Sequence, residues 1–306
     1  MINKKIVIGS RSSELAKIQT QLVVSMLNKA GYSKIEVLYF RSKGDRVSNK
    51  EFKANGGKGL FTKEIDQLIL NKKIDIGVHS AKDIPGHIDP RLKIGAFLKR
   101  EDIKDVIITK NTSIKKLNQL PKNITLGTSS PRRTAYIKLL RPDIKIIHIR
   151  GNIETRINKV LDKKVYSILL AKAAINRLNL QYNNLNILSV PISQIFPSPG
   201  QGAIAIMYNK ESLANKKLCR LIDCKSTRFS VNAERALIRQ INGDCFTPIG
   251  AYAKIKNENI ILNACLFSND MKYFVKEKKI GPKSLSIRIG KECGISLLKK
   301  IKKKTS

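Results

Sequence analysis

Residues 124–156 read ITLGTSSPRRTAYIKLLRPDIKIIHIRGNIETR. An apolar strand-like run (124–128) passes into a polar cluster, a helical pattern (131–140), a second strand (144–149) and a second helix (153–162). That order argues for βαβ units and a mostly parallel sheet. The same alternation extends outward. Before it stand a strand at Lys5–Gly9, a helix from about Ser13 to Ala30 with Ser12 or Ser13 as N-cap, and a strand at Ile35–Phe40. A polar stretch (41–59), a helix at Leu60–Leu70 and a strand at Ile74–His79 follow, and after KRED (99–102) the pattern restarts with a strand at 105–109. Behind it come a strand (166–171), a helix (172–179), a polar loop QYNNLN (181–186) and the Pro-rich PISQIFPSPGQG (191–202). Beyond a strand at Ala203–Tyr208, a helix-rich stretch runs to about Gln240. Three strand-like segments (249–256, 259–267, 271–280) and a helix (283–300) then read as a small α+β domain. The fold class is therefore α/β with a smaller C-terminal α+β domain, and no internal repeat is evident.

The 306 residues are enough for two or three domains with buried cores. No apolar run approaches the ~18 residues of a membrane span, and MINKKIVIGS has no signal-peptide core. Five cysteines, an odd number without framework spacing, fit a reduced, cytoplasmic protein. The formal charge of +36 would suit nucleic acid, but the lysines are spread through the chain beside many Ile and Asn, as a compositional bias would leave them. Only KKIKKK (299–304) is a basic run, expected to fray into solvent. Arginines are more informative, because lysine could replace them wherever charge alone mattered.

Three strands end in polar clusters: Gly9-Ser10-Arg11-Ser12-Ser13, His79-Ser80-Ala81-Lys82-Asp83 and Gly127-Thr128-Ser129-Ser130-Pro131-Arg132-Arg133. A fourth delivers Arg150-Gly151-Asn152 and then Arg156. In open α/β sheets, ligands bind at the carboxyl ends of strands, where helix N-termini offer free N–H groups to anions. Five arginines, one lysine, several hydroxyls and a single carboxylate suit a ligand bearing several carboxylates or phosphates. Any one serine in these clusters is by default a helix cap. Arg132 and Arg133 oppose the dipole of the helix they open, which is unfavourable unless an anion sits beside them.

Cys245 lies in a Gly/Asp/Pro loop, NGDCFTPIG (242–250), and is more accessible than a cysteine such as Cys265 inside the apolar ILNACLF. His79 is read as a packed strand residue, and three scattered histidines have no metal-ligand spacing, so no metal is expected. GGKG (56–59) lacks the Ser/Thr and spacing of a phosphate loop and is read as a lid, with Lys58 and Phe61 as its candidate residues.

In order along the chain, GSRSSELA (9–16), GGKGLFTKEID (56–66), VHSAKDIP (78–85), LGTSSPRR (126–133), IRGNIETR (149–156), PSPGQGAIAI (197–206), NAERAL (232–237) and GDCFTPIGAY (243–252) resemble the porphobilinogen deaminase (hydroxymethylbilane synthase) family. The resemblance implies two domains like those of periplasmic binding proteins, with the chain crossing between them twice. Their expected bounds are 1–99 with 198–218, 103–194, and 222–306 for the C-terminal domain. It further implies head-to-tail condensation of four porphobilinogen units with loss of ammonia, and hydrolytic release of a linear tetrapyrrole. The primer would be a dipyrromethane cofactor in thioether linkage to Cys245. Asp83 matches the family's catalytic aspartate. Lys82, Ser13, Gln19, Thr128, Ser129, Ser130, Arg132, Arg133 and Arg150 match its cofactor-binding groups, while Arg11, Arg156 and Arg150 match its substrate-binding groups. A monomer without nucleic-acid or membrane partners is expected.

Three positions depart from the family pattern: Asp244 stands where a glycine commonly precedes the cysteine, Ala174 replaces a common glycine, and Ala54, beside Lys53, replaces a common lysine. A carboxylate at Asp244 would raise the neighbouring thiol's pKa. The rival readings are a two-lobed solute-binding protein, which needs neither Asp83 nor Cys245, and a nucleic-acid-binding protein. The second is opposed by the lack of Trp and of any recognised binding motif.

Overall fold

The computed structural model describes residues 5–41, 62–244 and 246–305. The first lobe runs β1 (Ile6–Arg11), α1 (Glu14–Lys29), β2 (Ile35–Phe40), α2 (Lys63–Leu70), β3 (Ile76–Ser80) and β4 (Leu92–Phe97), with a 3-10 turn at Ala81–Asp83. The chain crosses to β5 (Asp105–Thr109), β6 (Thr125–Gly127), α3 (Pro131–Leu140), β7 (Lys145–Ile147), α4 (Ile153–Leu161), β8 (Ser167–Ala171), α5 (Lys172–Leu178) and β9 (Asn186–Ser189). It returns as β10 (Ile204–Asn209) and α6 (Leu213–Leu221). A third unit follows, of α7 (Lys225–Gln240), β11 (Ile249–Lys256), β12 (Asn259–Phe267), β13 (Phe274–Pro282) and α8 (Ser286–Thr305).

The two lobes share one topology. The first sheet is ordered β2-β1-β3-β10-β4 and the second β7-β6-β8-β5-β9. In each, four strands run in one direction and a single strand that follows a crossing inserts antiparallel: β10 beside β3 and β4, β5 beside β8 and β9. The expected α/β class and mostly parallel sheets hold, with one reversed strand in each. Periodicity registers that a strand exists, not its direction. Both β5 (DVIIT) and β8 (SILLA) are buried at every position, the near-continuous apolar pattern of strands covered on both faces. The helix α1 buries Ala16, Gln19, Thr20, Val23 and Leu27, one stripe at three- and four-residue spacing.

Strands β4 and β9 carry no strand pattern in the sequence: β4 has Gly95 in its middle and β9 opens inside the polar run 181–186. The basic tail does not fray. Helix α8 continues to Thr305, because Lys300 and Lys304, four residues apart on one face, donate to the Lys276 and Phe274 carbonyls of β13 at 3.1 and 3.3 Å.

The lobes and the third unit meet at Glu234, which is fully buried on α7. Its carboxylate takes a two-pronged pair from Arg100 (2.6 and 2.9 Å) in the first crossing segment. It also accepts from the backbone N–H of Gly200 (2.7 Å) in the second crossing and of Ala253 (2.8 Å) on β11. One carboxylate thus fixes both crossings to the C-terminal sheet. Gly200 has φ +76°, and a Cβ there would come within 3.0 Å of the Ala81–Lys82 peptide, so only glycine allows this approach.

Candidate active site

Antiparallel insertion decides what reaches the cleft. Ile204 of β10 pairs with Ser80 at the carboxyl end of β3, and Asp105 of β5 pairs with Ala171 at the carboxyl end of β8. Both crossing segments therefore enter at the strand ends where the polar clusters lie. Asp105 is delivered there, buried, and it is the anion that the arginines at the start of α3 require. Arg132 Nη1 lies 2.8 Å from its Oδ2, and Arg133 Nη2 donates to its Oδ1 at 2.7 Å. Gln201 Nε2, from the second crossing, donates to the same Oδ1 at 3.0 Å. Arg132 and Arg133 also donate to the carbonyls of Phe196 (2.6 Å) and Leu169 (2.9 Å). Burial alone would push the Asp105 carboxyl up; the Arg132 and Arg133 guanidiniums overcome this and hold it well below the usual carboxylate range. The dipole mismatch at α3 is answered inside the chain and by itself requires no ligand.

The other candidate residues fall into two groups. Some hydroxyls do local work: Ser130 caps α3 by accepting from Arg133 N, Thr128 Oγ1 accepts from Ser130 N, and Ser129 Oγ donates to Ile149 O at 2.5 Å. Ser13 stands at the N-cap of α1 without a side-chain capping bond. Gln19 on α1 exchanges hydrogen bonds with Ser80 at the end of β3 (3.0 and 3.1 Å). The charged residues converge. Burial lowers the Lys82 pKa, with Asp83 opposing and Arg133 and Arg132 of the other lobe reinforcing. Arg156, whose Nε donates to Gly151 O at 2.8 Å, has its pKa lowered to about 10 by burial, and it senses Arg133, Asp83 and Arg150. Arg11 lies close enough to His79 to add to the burial that lowers that imidazole's pKa to about 3, so the histidine is a neutral, packed strand residue. Lys58, Phe61, Ala54 and Cys245 lie outside the described residues.

A cavity of about 530 Å³ opens where the three units meet. Lys82 and the 84–89 segment line it from the first lobe, Ser130 and Arg132 from the second, and Arg235 with the 242–244 loop from the third. The loop's fold explains Asp244: its Oδ1 accepts from Phe246 N (2.8 Å), Thr247 N (3.1 Å) and Thr247 Oγ1 (3.2 Å), so the residue that replaces a glycine ties the loop together. Asp66 on α2 also lines the cavity; burial raises its pKa to about 6, with the neighbouring Thr62 hydroxyl opposing and the Asp89 charge adding to it. Asp105, Gln201, Glu234 and Arg235 were missed from sequence as site residues. For Asp105 the signal available was the pair of arginines at a helix start, which demands an anion without saying where it lies; Gln201, Glu234 and Arg235 stand inside the matched motifs 197–206 and 232–237. Ala174 is buried on α5. Cys219, Cys265 and Cys293 are buried core thiols, and Cys224 is half-buried.

Lys82 from one lobe and Arg132 from the other face a cavity closed by a third unit, the architecture of a two-lobed α/β protein with an added C-terminal domain. Residues 6–217 match the porphobilinogen deaminase, dipyromethane cofactor binding domain, and residues 229–303 match the porphobilinogen deaminase C-terminal domain. The chain belongs to the porphobilinogen deaminase family. It is 39% identical to the porphobilinogen deaminase of Rickettsia typhi over 302 residues (98% of each chain). It is 36% identical to that of Alkaliphilus metalliredigens over 298 residues (97% and 93%) and 41% identical to that of Clostridium acetobutylicum over 254 residues (83% and 85%). Among solved structures, an amino acid ABC transporter substrate-binding protein from Streptococcus pneumoniae aligns at 15% identity over 71% of this chain and 86% of that one. Its TM-score of 0.42 is too low to carry an argument. Among the described residues, no helix is long and apolar enough to cross a membrane.

The residues present fit a dipyrromethane. Its pyrrole side chains end in carboxylates, and the cavity wall offers Lys82, Arg132 and the Ser130 hydroxyl as donors. Arg132 Nε and Arg133 Nε are buried without a hydrogen-bond partner, leaving guanidinium donors unused by the Asp105 network.

Proposed function

We propose that this protein condenses four porphobilinogen molecules head to tail with loss of ammonia, on a dipyrromethane primer in thioether linkage to Cys245, and releases hydroxymethylbilane by hydrolysis. It would act as a cytoplasmic monomer without a nucleic-acid partner. The observation that carries this reading is the division of labour between two carboxylates. Asp105 is paired with Arg132 and Arg133 and serves their positioning. Asp83 sits at the carboxyl end of β3, in the field of Lys82 and Arg156, and no hydrogen bond or ion pair among the described residues engages its carboxylate.

Dipyrromethane, when bound, supplies the nucleophilic pyrrole carbon to which substrate units are added. Lys82, Arg132, Arg11, Arg150 and Arg156 bind the carboxylates of the pyrroles and orient the rings; Ser13, Gln19, Thr128, Ser129, Ser130 and Arg133 shape and support that cradle. Loss of the amine leaves a substrate-derived azafulvene cation whose charge spreads to the ring N–H. The Asp83 carboxylate accepts that N–H and stabilises the cation more than the neutral ground state. Arginines cannot do this, because they repel the cation.

Asp83→Asn preserves size and hydrogen bonding while removing the charge. It should fold, accept primer supplied as preformed tetrapyrrole, and turn over porphobilinogen at least about 100-fold more slowly. Near-normal turnover by the correctly loaded variant would show that another group stabilises the cation.

A further inference from the structure

The C-terminal half of α7 reaches the segment that follows Asp83. Arg235 is buried, and its Nη1 and Nη2 donate to the carbonyls of Ile84 (3.1 Å) and Pro85 (2.9 Å). One turn later, Arg239 Nε donates to Gly86 O at 3.3 Å, and His87 Nε2 lies 3.3 Å from Asn242 Oδ1 in the loop beyond the helix. A Cβ on Gly86 would meet Ile238 Cγ2 at 3.0 Å, so this segment lies directly on α7. Four consecutive residues, 84–87, are thus tied to α7 and to the 242–247 loop. The segment begins next to Asp83, and the loop contains Cys245.

Arg235 has no carboxylate partner among the described residues. Burial, with Arg239 nearby, lowers its pKa to about 10. A buried guanidinium is costly, and a long apolar side chain would fill the same space if packing were the only requirement. What the guanidinium adds is direction: a planar fork holds two successive carbonyls in one orientation.

We propose that Arg235 is a positioning residue for the reaction argued above: by gripping the Ile84 and Pro85 carbonyls from α7, it sets the Asp83 carboxylate relative to the loop that carries Cys245. The inference rests on that reading of Asp83 and Cys245. The carboxylate-holding groups Lys82, Arg132 and Arg156 are on other elements, so ligand affinity should survive its loss while the chemical step suffers.

The test uses the loaded wild-type enzyme beside Arg235→Met and Arg235→Lys, each checked for primer by intact mass and for folding by circular dichroism. Arg235→Met should keep the bound primer and a porphobilinogen KM within about twofold of wild type, with kcat reduced about 10- to 100-fold, the size expected of a misplacement near 1 Å. Arg235→Lys keeps the charge but not the fork, and its kcat should fall between the two. A kcat within about twofold of wild type in the loaded Met variant overturns the proposal. So does a raised KM with unchanged kcat, since that would make Arg235 a ligand-binding group. Should the Met variant fail to fold, the Lys variant decides by the same criteria: reduced kcat at constant KM supports the role, and unchanged kcat overturns it. A loaded wild type that does not consume porphobilinogen overturns the functional reading, and with it this one.

Discussion

Asp105→Asn tests the buried network beneath the cleft. The substitution keeps the side-chain shape but removes the charge shared by Arg132 (2.8 Å), Arg133 (2.7 Å) and the Gln201 amide (3.0 Å). It also turns an NH₂ group towards one of these donors. Removing one member of a buried ion network typically costs about 3–5 kcal/mol. Both guanidiniums retain a carbonyl acceptor, at Phe196 and Leu169, so the loss should lie near the middle of that range, about 4 kcal/mol. In urea titration followed by circular dichroism, this corresponds to a midpoint lower by about 1–2 M. The pH dependence gives a second readout. The folded-state pKa of Asp105 is depressed, so its stabilisation is complete above the unfolded value of about 4 and is lost as pH falls below it. Wild type should therefore converge on the variant in acid. A midpoint within about 0.3 M of wild type at neutral pH, or a gap that stays constant into acid, would refute the counter-ion argument.

The Asp66 pKa is raised to about 6, so wild-type stability should fall by on the order of 2 kcal/mol as pH rises from about 4 through 6, and Asp66→Asn should lack that slope; equal slopes in both would remove Asp66 as its source. Glu234→Gln should destabilise by about 3–5 kcal/mol. Adding Arg100→Met should not restore stability, because the Gly200 and Ala253 N–H groups donate to different carboxylate oxygens and a glutamine leaves only one acceptor; recovery of the midpoint in the double variant would count against the three-way clamp.

The β-α alternation and the polar clusters at the strand ends are legible because they depend on local pattern: apolar runs, helix periodicity and the residues that close them. The shared topology of the two lobes is not, since a strand of either sheet needs only apolar side chains at the right positions, and no residue identity has to repeat. Asp105 was overlooked for a related reason. It opens an apolar strand, and Arg133, which engages it, is 28 positions away. Glu234 and Arg235 stand in a matched motif, NAERAL, but Arg100 and the Ile84 and Pro85 carbonyls that they engage are more than a hundred residues distant, and the other partners of Glu234 are backbone N–H groups. Such backbone carbonyls carry no side-chain signal. Asp244 is the converse case: its sequence position suggests interference with the cysteine, while its side chain accepts the Phe246 and Thr247 N–H groups.

The claim that Cys245 carries a covalent pyrrole primer is tested most directly by the intact mass of the protein as isolated and active. Wild type should exceed the sequence mass by two porphobilinogen units less the ammonia lost, and should colour with an acidic aldehyde reagent for pyrroles. Cys245→Ala should fold, show the bare sequence mass and remain colourless. An unmodified mass from protein that turns over porphobilinogen, or the same adduct retained in Cys245→Ala, would contradict it.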